Sequence, residues 1–495
     1  MKKKLILLSS LLLINSFSIT SCDNSSSNNN DTKSERESIS ISQPEEIDEV
    51  IVVNNGDKIY KKGHDNAKQL KISFTEAGFG REWLVEIAKR YVAEHDDCQI
   101  VLDGDPALTG SLSTKLESGK NLSDIYFPLN SYWELYAYKG WLEPLDDLYE
   151  MKPDGTKTNN ELVDGPYLEW ATLDTVNGTH KYIMPWNDTI TGICYNVNMF
   201  NDYGWEIPIT TDDLENLCKQ ILNDTNGRVK PFAYPGKIGG YFDFIGSTWW
   251  MQASGMEGYK KFFDFESPEI YNKDTQPALG KKLALEEFLR FYNLDSGYCV
   301  VGSMSKDHIL SQMDFINGKA AMIVNANWLE TEMKENMDED FVMGMMRVPY
   351  LKDAKKDEKG EYKKVNYVAS PDYIVVPKDS TNKDVAKDFL NYMNKEENLR
   401  LYTYITGSPR PFDYIASDIE GLTKFNQDCL KIREESDNYF DFSRAKIYTN
   451  GYGAKYIGGQ PYSGLIRGDT TIERFLNTEY FEADDNWETW LARSS

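Results

Sequence analysis

The chain has 495 residues, with 54 Lys+Arg against 79 Asp+Glu, a formal net charge of −25 and 40% hydrophobic residues. That length exceeds one ordinary core and points to two large lobes, and the charge argues against nucleic acid or anionic lipid as a partner. The 31 Tyr, 22 Phe and 11 Trp suffice to fill cores and also to line a site that stacks on rings.

Residues 1–21 read as a secretory signal peptide. Lys2, Lys3 and Lys4 start it, residues 5–14 are an apolar run broken by Ser9 and Ser10, and Ile19-Thr20-Ser21-Cys22 ends it. The run is too short for an ordinary spanning helix. Its end resembles the bacterial lipobox, an aliphatic and two small residues before cysteine. The resemblance implies cleavage before Cys22 and diacylglycerol on its sulfur, so that the membrane is a partner through lipid only. A plain signal peptide or an uncleaved anchor is the alternative. Residues 23–49 are Ser, Asn and acidic residues that bury too little to order themselves. A chain of about 27 such residues spans roughly 30 Å. Lipidated Cys22 and this tether, taken as residues 22–65, hold the folded body off a membrane surface outside the cytoplasm.

The body begins near Gln69. Strands are expected over 71–74, 99–102 and 124–127, with helices over 83–94 and 108–117 between them. This β-α-β-α-β order predicts a parallel sheet covered by helices on both faces, with ligand beyond the strands' carboxyl ends. A second α/β block follows Trp186. It has a helix over 212–222 capped by Thr210 or Thr211, a largely helical stretch over 262–292, and strands over 320–324 and 341–348. A charged hairpin-like insertion covers 352–364. A strand over 373–376 and a helix over 382–394 complete the pattern. Cys98, Cys194, Cys218, Cys299 and Cys429 are odd in number and widely spaced. They read as small buried residues, not as a disulfide framework or zinc site, and no metal or cofactor is expected.

The order of motifs resembles the extracellular solute-binding proteins of sugar ABC transporters, the family that includes maltose-binding protein. Five stretches carry the likeness. Ser123-Asp124-Ile125-Tyr126 precedes Gly140-Trp141-Leu142-Glu143-Pro144-Leu145-Asp146-Asp147-Leu148. Tyr182-Ile183-Met184-Pro185 precedes Tyr195-Asn196-Val197-Asn198-Met199-Phe200 and Gly204-Trp205. Asp212-Asp213-Leu214 follows, then Phe315-Ile316-Asn317-Gly318-Lys319-Ala320-Ala321-Met322. Last come Phe389-Leu390 with Glu396-Glu397 and Thr406-Gly407-Ser408-Pro409-Arg410. The likeness covers about residues 71–410; Val197, Arg410, the insertion and the tail depart from it.

It implies an α/β, two-lobed periplasmic-binding-protein-like fold (type II), with discontinuous lobes joined by a hinge. The implied map is lobe 1 at 66–187 and 365–420, and lobe 2 at 188–364 and 421–495. Crossings are expected at 186–190 and 350–367. It also implies a monomer that captures a sugar, an oligosaccharide for preference, between the lobes and passes it to ABC transporter permease subunits. Glycan capture or sensing on the same fold, or a peptide or other solute as ligand, are the alternatives.

A sugar needs aromatic faces for its C–H surfaces and carboxylates or amides for its hydroxyls. The candidates are therefore Glu76 and Phe79 after the first strand, with Arg81 behind them. Asn130 and Ser131 follow the third strand, where Trp133 reads as core. Trp186, Asn187 and Asp188 lie at the first crossing, and Asp243 comes before Trp249-Trp250, one of which reads as core. Trp328 follows the strand over 320–324, at the place where the family has a stacking aromatic. Ser370, Asp372, Tyr373 and Arg410 complete the set.

The four histidines form no H-E-x-x-H, and G-x-S-x-G, Walker A and G-x-G-x-x-G are missing. The reading is therefore a binding protein, not an enzyme. A glycoside hydrolase using Asp188 with Asp243 or Glu76 is the remote alternative.

Overall fold

The computed structural model describes residues 48–51, 58–61, 68–129, 133–263, 266–352, 354, 356, 358–368, 372–439 and 461–494. They fall within one compact unit, Ile41–Ser495. The signal peptide, Cys22, most of the 22–65 stretch, Asn130, Ser131 and Ser370 lie outside the described residues.

The first lobe is built on strands β1 (Asp48–Ile51), β2 (Lys58–Lys61), β3 (Lys68–Phe74), β4 (Cys98–Gly104) and β5 (Ile125–Phe127), in spatial order β1-β2-β4-β3-β5. β3 pairs in parallel with both β4 and β5. Parallel neighbours need long crossovers, and helices Glu82–Glu94 and Leu108–Ser118 supply them. The first helix buries Trp83, Leu84, Ile87, Ala88 and Tyr91, which is the one-sided spacing of an amphipathic helix on a sheet. One expectation needs correction. β1 and β2 fall inside the stretch read as tether, yet they pair with each other and β2 pairs antiparallel with β4. Four-residue strands carry little signal of their own, and the free edge of β4 decides their conformation.

A hairpin of β6 (Thr172–Thr175) and β7 (Gly178–Lys181) leads to β8 (Met184–Pro185) and the first crossing. The second lobe holds β9 (Thr191–Asn196), β10 (Lys230–Ala233), β11 (Ala320–Ala326) and β12 (Met343–Met346), in order β10-β11-β9-β12. β10 and β11 are parallel, and β9 is antiparallel to β11 and β12. Every residue of β9 and β11 is buried, as expected of a sheet covered on both faces. Helices Thr211–Asp224, Thr248–Ser254 and Ala278–Tyr292, joined by the C-terminal helix Ile472–Ser494, contribute to one core. Helices His308–Ile316 and Lys424–Glu434 contribute to the other. Thr211–Asp224 starts in a reciprocal box in which Thr210 caps the Asp213 amide and Asp213 caps Thr210.

β13 (Val365–Tyr367) pairs with β15 (Asp437–Tyr439), while β14 (Tyr373–Ile374) returns to β8. The lobe 1 core draws on residues 70–186 and 368–412, and the main lobe 2 core includes Val365 and Tyr367. The second crossing therefore follows Tyr367 and does not lie at 350–367. A third crossing follows Phe412, the last residue of the lobe 1 core, because Phe425 already belongs to a lobe 2 core. Both members of the Trp249-Trp250 pair are buried. Cys98, Cys194, Cys218 and Cys429 are also buried, and burial pushes the Cys98 thiol up to about 12. Among the described residues no helix is long and apolar enough to cross a membrane.

Candidate functional site

The two lobes meet where strands end. Trp328, just beyond β11, is half-buried. It stands edge-to-face against Phe79 of lobe 1 (centroids 6.3 Å apart, 89°) and against Phe244 of lobe 2 (5.7 Å, 76°). Gly78 passes so close that a Cβ there would sit 3.5 Å from the Trp328 Cβ. Trp328 is held from behind by Asn327, which is fully buried. Asn327 exchanges backbone and side-chain bonds with Ile190, and its Nδ2 donates to the Asp188 carbonyl at 3.0 Å and to Ser408 Oγ. The amide thus staples the end of β11 to the first crossing and to Ser408 of lobe 1, so the indole is placed before any ligand arrives and ordering costs little.

Trp186, on the first crossing, lies beneath Phe79 at 6.0 Å and 81°. It stacks on Trp83 (5.0 Å, 17°) and meets Phe127 and Tyr402 edge-on. It is 6% exposed. Phe79, Trp186 and Trp328 are the candidates that the structure brings together.

Asn187, Asp188 and Arg410 have their polar atoms engaged within the protein. Asn187 is fully buried; its Nδ2 donates to Asp372 Oδ2 at 2.7 Å, and its Oδ1 accepts the Asp372 amide at 2.9 Å. Burial pushes the Asp372 carboxyl up to about 7, against the lowering effect of that bond. Asp188 has both carboxylate oxygens engaged. Tyr167 Oη donates to one at 2.7 Å and Arg433 Nε to the other at 2.5 Å. Arg433 also reaches Asp164 at 2.8 Å. Burial works against the charge of Arg433, but Asp188 and Asp164 outweigh it and raise its pKa. Arg410 is fully buried and donates to the carbonyls of Trp186, Met393 and Pro185. Burial lowers it to about 10. Each of the three guanidinium nitrogens thus donates to a backbone carbonyl. Tyr373 is 2% exposed and packs edge-on against Trp170 in the lobe 1 core.

Glu76 lies at the rim and forms a two-bond pair with Arg81, whose guanidinium sits over Phe74. Asp243 accepts from Ser247 Oγ at 3.1 Å, and its neighbour Phe244 is the residue that touches Trp328. The carboxylates weighed for hydrolysis thus each have a protein partner. Trp133 is core, at 1% exposed. Phe244, Tyr402, Tyr167 and Arg433 were not legible as functional. Phe244 had one pointer, its place beside Asp243; a single Arg on an amphipathic helix offers none.

The sequence profile of the family described as "Bacterial extracellular solute-binding protein" matches residues 80–399. Three solved structures share the fold. A chitin oligosaccharide binding protein superposes with a TM-score of 0.64 at 16% identity, covering 86% of this chain and 100% of its own. The apo-form of RafE from Streptococcus pneumoniae gives 0.59 at 17% identity, with 88% and 98% covered. The GacH receptor of Streptomyces glaucescens, known unliganded and with acarbose, gives 0.62 at 14% identity, with 85% and 99% covered. With two cores crossed by one chain and a profile match over residues 80–399, the protein belongs to the bacterial extracellular solute-binding proteins.

Proposed function

We propose that this protein captures an oligosaccharide in the cleft between its lobes and delivers it to the permease of an ABC importer. It does so by binding alone, held to the membrane through lipid on Cys22. The observation that carries the reading is Trp328, an indole fixed by the Asn327 staple and half-exposed between the lobes. An aromatic face on a rigid mount suits the C–H surface of a sugar ring. Solved relatives of the same fold are described with chitin oligosaccharide, raffinose and acarbose, which supports the sugar class. Ligand favours the closed arrangement and shifts the lobes toward it.

The test is a thermal melt of residues 24–495 against chitin oligosaccharides, raffinose, acarbose and a peptide panel. A ligand at 100 times its Kd should add about 2.7 kcal/mol, a shift of a few degrees. The shift should be confined to sugars and lost in Trp328→Ala. A shift with peptides alone would overturn the sugar reading, and cleavage of the oligosaccharide during the assay would overturn binding without chemistry. In cells, Cys22→Ser should move the protein out of the membrane fraction; unchanged membrane association would sink the lipid anchor.

A further inference from the structure

Phe79 is in contact with the indoles of both Trp186 and Trp328. Its ring is near-perpendicular to Trp186 on the hinge side and to Trp328 on the far lobe, with centroids 6.0 Å and 6.3 Å away. Tyr402 adds a third wall at 6.3 Å. The ring is 4% exposed. It is mounted between Gly78 (φ +54°) and Gly80 (φ +67°). Both lie in the left-handed region, which glycine adopts with little strain. The backbone on either side of Phe79 is thus free to turn in ways that other residues resist.

Among the described residues, Trp186 Nε1 and Trp83 Nε1 are buried without a hydrogen-bond partner. Buried polar groups are as a rule paired, and an unpaired one is costly. Both belong to one cluster in which Trp83 stacks on Trp186 and Tyr402 meets the two indoles edge-on. Phe79 satisfies the apolar faces of that cluster and none of its polar atoms. A pyranose ring would satisfy both, through its C–H surface and its hydroxyls.

We propose that Phe79 is an intramolecular stand-in for the ligand, filling the space between Trp186 and Trp328 until a sugar expels it. The proposal rests on the sugar-capture reading above. It makes the observed affinity the outcome of a competition, because the competent fraction is the one with Phe79 displaced. Removing the ring therefore tightens binding, whereas removing an ordinary wall of a site weakens it.

The experiment uses Phe79→Ala and Phe79→Leu in residues 24–495. The first readout is independent of sugar. Phenol, an aromatic ring with one hydroxyl, should raise the melting temperature of Phe79→Ala selectively over the parent protein. The second is calorimetric titration with the tightest sugar in the panel. Phe79→Ala should bind it about tenfold tighter and Phe79→Leu should fall between. Should Phe79→Ala fail to fold, Phe79→Leu carries both readouts. Unchanged or weaker sugar affinity in the variants would overturn the proposal and make Phe79 core or wall. If no sugar binds any form, the sugar reading fails and phenol decides. Stabilisation by phenol beyond that given by benzene, which any vacated apolar cavity takes up, would then support a self-occupied ring site with polar walls, and equal shifts would overturn one.

Discussion

Asp372 shows how one residue at a crossing can set a property of the whole protein. Its carboxyl is pushed up to about 7 by burial, although Asn187 donates to it. An unfolded Asp loses its proton near pH 3.9. Between about pH 4 and 7 the folded chain therefore holds a proton that the unfolded chain has released. Stability must fall as pH rises through that window and level off above it. The loss is on the order of 4 kcal/mol for a shift of about three units. Asp372→Asn should remove this component and be more stable than the parent at pH 8 by denaturant unfolding. The same pH slope in parent and variant would contradict the assignment. Neighbouring residues show the limit of reading chemistry from residue type. Trp186, Asn187 and Asp188 have the composition of a sugar site, but two of the three spend their polar atoms inside the hinge. Nothing in a run of Trp, Asn and Asp tells which polar atoms will find protein partners; distant Tyr167, Asp372 and Arg433 settle that.

At the scale of elements, the C-terminal helix Ile472–Ser494 is fastened to helix Ala278–Tyr292 by a buried ion pair. Lys281 Nζ donates to Glu479, with the side chains 1% and 0% exposed. The ammonium also lies near the faces of Phe262, Trp250 and Phe475, at 4.9, 5.5 and 5.5 Å. Burial lowers the Lys281 pKa, against the pull of Glu479. Breaking such a pair from one side leaves a bare buried charge, at about 3–5 kcal/mol, whereas replacing both partners by apolar groups is often neutral. Glu479→Ala should thus lower the melting temperature sharply and open the C-terminal helix to protease. Lys281→Met with Glu479→Met should recover most of the loss. A double variant as weak as the single one would show that packing, not charge, dominates. The helices expected over 83–94 and 212–222 were legible because their apolar spacing, and the Thr210 cap of the second, are local. β1 and β2 were not, because only the pairing of β2 with β4, and of β1 with β2, makes them strands.

At the scale of the molecule, Arg433 ties the lobes across the hinge. It rises from helix Lys424–Glu434 of lobe 2 and contacts Asp188 on the crossing and Asp164 on lobe 1. The two contacts are unequal. The Asp188 side chain is 5% exposed, so its pair is sheltered, while Asp164 is 38% exposed and its arm is screened and weak. Arg433→Met should therefore cost about 2–4 kcal/mol, chiefly through the uncompensated Asp188. The lobes should also spread, seen as a larger radius of gyration in solution scattering of the ligand-free protein. An unchanged radius with an unchanged melt would show that the tie does nothing for lobe closure.

The sequence alone determined the periodic helices, the parallel β-α-β-α-β start, the family, and the place of Trp328 at the end of a strand. These follow from short-range spacing and from ordered motifs, which a chain carries whatever its tertiary contacts. Only the tertiary structure decided that Arg410 is buried against three carbonyls, that Arg433 bridges the lobes, and that Phe79 meets both Trp186 and Trp328 edge-on. Burial and hydrogen-bond satisfaction are relations between residues far apart in the chain, such as Asp188 and Arg433, so they come into being only when the lobes are assembled.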